Sequence, residues 1–270
     1  MTDIVRHSTD LIFIIGRQRS GTTVFRDLLA RQGALDCDEI FHGAIDGPYR
    51  FYGYLGRLVA ENPGLIHPEH HPYIFRNYIN SLRETAKGKP LAIDVKYFGL
   101  NLIPKREDVD GTEPFIIDFM RQSKAHVIHI MRSNKLRIYT SEQLAKITGR
   151  WSVGRVEHRV TNKPKLTINS KEALAFVDSL IDQDSRVSTM LKKLPHAHMI
   201  RYEEMFDGDG YFSEEVQAIA AAIMQAEGDY SKPGNMKMNP EPLSQLVENY
   251  AEVENIFRGT KHEWMLTDLD

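Results

Sequence analysis

The chain has 270 residues, 41% hydrophobic and 26% charged, with a net charge of −3. That is the composition of a folded globular protein long enough to bury a sizeable core, and its slightly acidic balance argues against a general nucleic-acid binder. Cys37 is the only cysteine, which excludes an intrachain disulfide framework and fits a reducing compartment.

The first element is the apolar run 11–15, which reads as a buried strand. It is too short for a signal-peptide core or a membrane span, so no integral membrane segment and a cytoplasmic location are expected. It runs into Gly16-Arg17-Gln18-Arg19-Ser20-Gly21-Thr22-Thr23. Gly16 and Gly21 have the spacing of a phosphate-binding P-loop, G-x-x-x-x-G-K-[ST], but Thr22 stands where the lysine belongs. Arg17 and Arg19 supply the positive charge inside the loop instead. Backbone N–H groups and a helix N-terminus still suit a phosphate. The residue that reaches the β/γ-phosphates of a nucleoside triphosphate is missing, so the ligand is expected to be a different nucleotide.

A helix over 22–32 places Val24, Phe25, Leu28 and Leu29 on one side and the charged Arg26, Asp27 and Arg31 elsewhere, with Gly33 ending it. The stretch 34–72, rich in Gly, Pro, Tyr and His, reads as an irregular substrate-covering insertion. Its His67, His70 and His71, flanked by Pro68 and Pro72, read as a surface loop rather than a metal site. Further along come a helix near 73–86, a strand at 91–95, a strand at 126–131 and a helix over 134–148. Beyond them lie a helix over 171–193 with solvated charged faces, a strand at 197–201, a helix over 213–226 and a last helix over 241–257. Alternating strands and helices predict an α/β fold: a P-loop-like three-layer α/β/α arrangement around a central parallel sheet. With no repeat, low-complexity tract or linker, a single domain over 1–270 is expected.

A second constellation follows the strand at 126–131. Arg132 sits at its end, and Arg137 and Ser141 lie four apart on the next helix, away from an apolar side of Leu136, Tyr139, Leu144 and Ile147. An arginine plus a hydroxyl clamps a phosphate monoester, the guanidinium gripping two oxygens and the serine a third. Taken alone, the same pattern also describes a solvated helix face capped by Asn134.

Two separated phosphate sites without a P-loop lysine describe 3′-phosphoadenosine-5′-phosphosulfate (PAPS). Here the chain resembles the PAPS-dependent sulfotransferases, bacterial carbohydrate or trehalose-type members in particular. Gln18-Arg19-Ser20-Gly21-Thr22-Thr23 resembles their 5′-phosphosulfate loop, and Arg132 with Ser141 resembles their 3′-phosphate motif. Arg201-Tyr202-Glu203-Glu204-Met205 and the tail from Lys237-Met238-Asn239-Pro240 to Asn249-Tyr250 are also similar to segments of that family. The spacing of nine from Arg132 to Ser141 is one longer than in cytosolic animal members, which leaves Thr140 as an alternative to Ser141.

The resemblance implies a sulfotransferase that uses PAPS as co-substrate, needs no metal and acts on a small-molecule or glycan acceptor. Arg17, Gln18, Arg19, Ser20, Gly21, Thr22, Thr23, Arg132 and Ser141 would bind the nucleotide. Arg19 would stabilise the leaving group, and Lys96 would orient the sulfuryl group. Glu39, eighteen residues beyond Gly21, would be the base, with His42 as its rival. Phe98 occupies the position where animal members carry a histidine. Asp94 is read as a structural acid rather than a magnesium ligand. A divergent P-loop kinase or NTPase, and a catalytically inactive nucleotide-binding protein, are the alternatives.

Overall fold

A computed structural model describes residues 10–104, 113–151, 164–234 and 239–267. Five parallel strands form one sheet in the order β2-β3-β1-β4-β5: β1 (Leu11–Gly16), β2 (Leu35–Glu39), β3 (Leu91–Lys96), β4 (His126–Met131) and β5 (Ala197–Arg201). The central strand β1 is apolar along its length because helices cover both of its faces. Leu11, Phe13 and Ile15 pack toward α3 (His71–Ala86), α4 (Phe115–Gln122) and the end of α6 (Ser170–Leu191). Ile12 and Ile14 pack toward α1 (Thr22–Arg31) and α7 (Glu214–Met224). A third apolar cluster joins α5 (Lys135–Thr148) and α6 to the C-terminal α8 (Leu243–Leu246) and α9 (Tyr250–Phe257). This is the expected three-layer α/β/α fold.

The strand order reverses direction around β1, since β1 leads toward one edge and β4 and β5 build the other. In open α/β sheets, ligands bind in the crevice beyond the carboxyl ends of the strands at such a point. Both phosphate-binding candidates leave the sheet there.

Three readings of the sequence change. The stretch 34–72 is not irregular: it holds the edge strand β2, the helix α2 (Phe51–Glu61) and two short 3₁₀ turns. Aromatic contacts of Phe51 with Phe41, Phe75 and Tyr78 fix α2 against α3. The last helix is broken, because Val247 leaves α8 extended and bridges to Leu166 before α9 begins. The eight-residue α4, which starts after Pro114, is an additional helix. Lys237 and Met238 of the family-like tail lie outside the described residues. Among the described residues, no helix is long and apolar enough to cross a membrane.

Candidate active site

The loop between β1 and α1 is shaped by close approach. A side chain at Gly16 would meet the Ser20 hydroxyl at 2.6 Å and the Ile130 carbonyl of neighbouring β4 at 2.8 Å. Gly21 caps α1 in the left-handed conformation, φ 95°, and a side chain there would collide with the Tyr202 ring at 2.6 Å. Arg19 also holds a positive φ, 69°, a strained state for a residue with a side chain. The Ser20 hydroxyl folds inward and donates to the Arg17 carbonyl at 2.7 Å. Gly21 offers no side chain to the first N–H groups of α1, and no acid occupies that first turn. An uncapped helix start beneath a glycine loop is suited to an anion.

The second segment closes on the first. Arg19 donates from Nε and from its terminal nitrogen to Ser141 Oγ, at 2.9 and 2.8 Å, and also to the Trp151 carbonyl. Asn239 Nδ2 adds a third donor to Ser141 Oγ at 3.0 Å. Burial, and next the nearby Arg132 guanidinium, hold the Arg19 pKa below its ordinary value. Arg132 is buried and stacks 4.7 Å over the Tyr202 ring, the ring that packs on Gly21. One tyrosine therefore separates and spaces the two basic segments. Thr140 is turned away, donating to the Leu136 carbonyl of its own helix at 2.9 Å.

Helix α5 owes its position to capping. Asn134 accepts from the Arg137 N–H at 3.0 Å, and the Asn134 N–H donates to Glu203 at 3.0 Å. Arg137 and Ser141 are buried rather than solvated, and Arg137 donates to the Glu241 carbonyl at 2.6 Å. Ile147, expected on the apolar side, is instead 62% exposed, because α5 ends against solvent there.

On the other side of the loop, Lys96 ends β3 opposite Gly16 in the β1–β3 register. Its ammonium is buried and donates to Thr22 Oγ1 at 2.5 Å and to Asp94 Oδ2 at 2.9 Å. Asp94, fully buried within β3, also takes Arg26 at 3.2 Å. Arg26 belongs to the charged part of α1, yet it is buried, because Asp36 and Asp38 of β2 each meet it at 2.7 Å. Arg50 binds Asp38 at 2.6 Å and the Glu39 carbonyl at 2.5 Å. Glu39 pairs with Asp94 across the β2–β3 register. Burial pushes its carboxyl above the ordinary 4.5; the Lys96 ammonium opposes that rise and the Asp94 carboxylate adds to it. Glu39 Oε1 is buried with no hydrogen-bond partner. His42, by contrast, is exposed, and its Nδ1 accepts from the Ala44 N–H at 3.0 Å.

Several participants carry no local motif. Arg17 reaches α6, donating to Gln183 at 2.9 Å, lying 3.7 Å from Glu142 and stacking on Phe176. Asp184 of α6 accepts from Tyr97 at 2.8 Å and from Lys135, and His129 Nε2 lies 2.7 Å from the Tyr97 hydroxyl. The charged face of α6 is therefore partly turned inward. Trp151 is 46% exposed and is not a core residue. His71 bonds the Ile66 carbonyl at 3.2 Å, and no cluster of three metal-ligating side chains occurs among the described residues.

The fold is a parallel α/β sheet covered on both faces, and the two basic segments meet at its switch point. No family model and no curated protein matches the chain. Among solved structures it is similar to the sulfotransferase domain of the Synechococcus PCC 7002 olefin synthase, at 14% identity and TM-score 0.42, over 90% of this chain and 82% of that one. It is also similar to shikimate kinase from Bacteroides thetaiotaomicron, at 14% identity and TM-score 0.37, over 80% of this chain and 96% of that one. Dephospho-CoA kinase from Campylobacter jejuni gives 12% identity and TM-score 0.36 over the same shares, 80% and 96%.

Proposed function

We propose that the chain is a sulfotransferase that moves a sulfuryl group from PAPS to an acceptor hydroxyl on a carbohydrate or glycolipid. The observation that carries this reading is the bond from Arg19 to Ser141, 2.8 Å, which ties the glycine loop to the middle of α5. A doubly phosphorylated nucleotide needs two anion cradles within its own length, and the Tyr202 ring, lying against both Gly21 and Arg132, supports their nearness. Ser141 is favoured over Thr140 for the 3′-phosphate, because its hydroxyl meets Arg19 while that of Thr140 donates to the Leu136 carbonyl. Arg132 and Ser141 would hold the 3′-phosphate, and the residues 17–23 the 5′-phosphate.

In the transfer, the bond from sulfur to the nucleotide phosphate breaks and a bond from sulfur to the acceptor oxygen forms, with the hydroxyl proton passing to a base. The charge that builds on the leaving phosphate needs fixed donors, and Lys96 bonded to Thr22 stands beside the loop to supply one. The Arg19 fork points toward Ser141, so its role is shared between the two cradles. Glu39 is the proposed base: burial raises its carboxyl against the opposing Lys96 charge and its buried Oε1 has no hydrogen-bond partner, whereas His42 stands in solvent.

Thermal shift tests this reading with adenosine 3′,5′-bisphosphate, ATP–Mg²⁺ and GTP–Mg²⁺, since a ligand that binds the native state raises its melting temperature. The bisphosphate is expected to stabilise selectively, and Arg132→Ala to abolish the effect. Selective stabilisation by a nucleoside triphosphate would replace the proposal with a kinase or NTPase. Stabilisation by the bisphosphate without turnover on any acceptor would leave a nucleotide-binding protein.

A further inference from the structure

A cavity of about 550 Å³ opens beside the glycine loop on its β3 side. Its volume lies within the range of small-molecule sites. Arg17, Lys96 and Arg186 line it together with the amide of Gln183, and Phe98 and Met190 supply an apolar wall. Among the described residues, no acidic side chain lines it. The carboxylates that neutralise Lys96 and approach Arg17, Asp94 and Glu142, stand behind them. Arg186, on the exposed side of α6, has no ion pair or hydrogen bond among the described residues. Phe98 is 50% exposed, a large apolar surface left open at the mouth. Neither Arg132 nor Ser141 lines this space, so it lies apart from the proposed 3′-phosphate cradle. It shares Arg17 and Lys96 with the edge of the loop, so an occupant would touch the reacting end of the donor.

We infer that the cavity takes an acceptor that is itself an organic anion: a hydroxyl at the Lys96 end, an apolar or ring portion against Phe98 and Met190, and a carboxylate-type charge at Arg186. Lys96 and Arg17 have carboxylates behind them, so a neutral acceptor would leave Arg186 as the lining cation without a counter-charge, and an acidic one would supply it. The inference rests on the sulfuryl-transfer reading and narrows its acceptor from sugars in general to acidic ones.

Phenyl β-D-glucuronide and phenyl β-D-glucoside carry the same ring and differ at one carbon, a carboxylate against a hydroxymethyl. Each would be titrated calorimetrically into the full chain in the presence of adenosine 3′,5′-bisphosphate. The glucuronide is expected to bind about tenfold tighter or more, the size of one charge-assisted hydrogen bond. Arg186→Gln, a surface change, should remove most of that preference, and added salt should weaken it. Equal affinities, binding by neither compound, or a preference unaltered in Arg186→Gln would overturn the anionic acceptor. Bisphosphate titrated alone separates the two levels. If it fails to bind, the sulfuryl-transfer reading falls and takes the acceptor role with it. If it binds while the preference is absent, only the acidic acceptor is lost.

Discussion

Replacing Asp94 with Asn tests the electrostatic frame behind the loop. Asp94 is fully buried, and one carboxylate oxygen serves both Lys96 at 2.9 Å and Arg26 at 3.2 Å. Arg26 keeps Asp36 and Asp38, each at 2.7 Å, so it stays compensated. Lys96, only 5% exposed, keeps the Thr22 hydroxyl and the influence of Glu39. The variant therefore strands one buried cation. Breaking a buried pair from one side costs about 3–5 kcal/mol, and the remaining Glu39 charge places this case at the lower end, about 3 kcal/mol. For a chain of this size that is a fall of about 6–12 °C in melting temperature. Asp94→Asn with Lys96→Met removes both members and should be less destabilised than the two single variants added together, by at least about 1 kcal/mol. Urea unfolding of the four proteins at pH 7, followed by circular dichroism, measures the cycle. Additivity within about 0.5 kcal/mol would refute the coupling, and with it the claim that Asp94 holds Lys96 in place.

Ser141→Ala should lower the affinity for adenosine 3′,5′-bisphosphate by about tenfold, the value of one charge-assisted contact; unchanged calorimetric affinity would remove Ser141 from the site. Glu39→Gln should suppress turnover far more than bisphosphate binding, and wild-type turnover should rise with pH through an inflection above the ordinary glutamate value of 4.5. Because folding raises that carboxyl, the native state holds its proton more tightly and loses stability as pH rises through the raised value, so Glu39→Gln should be more stable than wild type at pH 7. His129 works the opposite way: burial lowers its imidazole from 6.5 to about 4, so the unfolded chain takes up the proton first and stability falls as pH drops across that interval. At about 1.4 kcal/mol per pH unit the loss amounts to about 3 kcal/mol, and urea titrations of wild type and His129→Gln between pH 4 and 6.5 should diverge by that order.

What the sequence made legible is what a short window encodes. Residues 11–15 with two glycines at P-loop spacing are a strand and a turn whatever surrounds them, and Asn134 capped α5 as its position implied. The strand β2 was illegible because its five residues include three acids. Its stability comes from Arg26 and Arg50, which no local pattern reveals. The same ion pairs explain why Arg26, read as a charged surface residue of α1, is buried. Tyr202 and Asn239 were visible only as parts of family-like segments. Their contacts with Gly21, Arg132 and Ser141 join residues scores of positions apart. The inward polar groups of α6 escaped for the same reason: Asp184 and Gln183 meet partners from the loop, the turn after β3 and α5.

The missing P-loop lysine changes meaning once the register is known. Thr22 occupies the lysine position in sequence, but Lys96 lies across from Gly16 on the adjacent strand and donates to the Thr22 hydroxyl. The loop is therefore not short of an ammonium; it receives one from β3, fixed by Asp94 rather than carried on the helix start. Absence of the lysine from the motif then no longer separates a nucleoside triphosphate from other nucleotides. On the sulfuryl-transfer reading the discriminating feature moves to the far side of the loop, where Arg19 donates to Ser141 and the Arg132 guanidinium lies near. Under the proposed function those donors would serve a second phosphate on the ribose, so bisphosphate binding by Arg132 and Ser141 variants, rather than by Thr22 variants, tests the choice between sulfuryl and phosphoryl transfer.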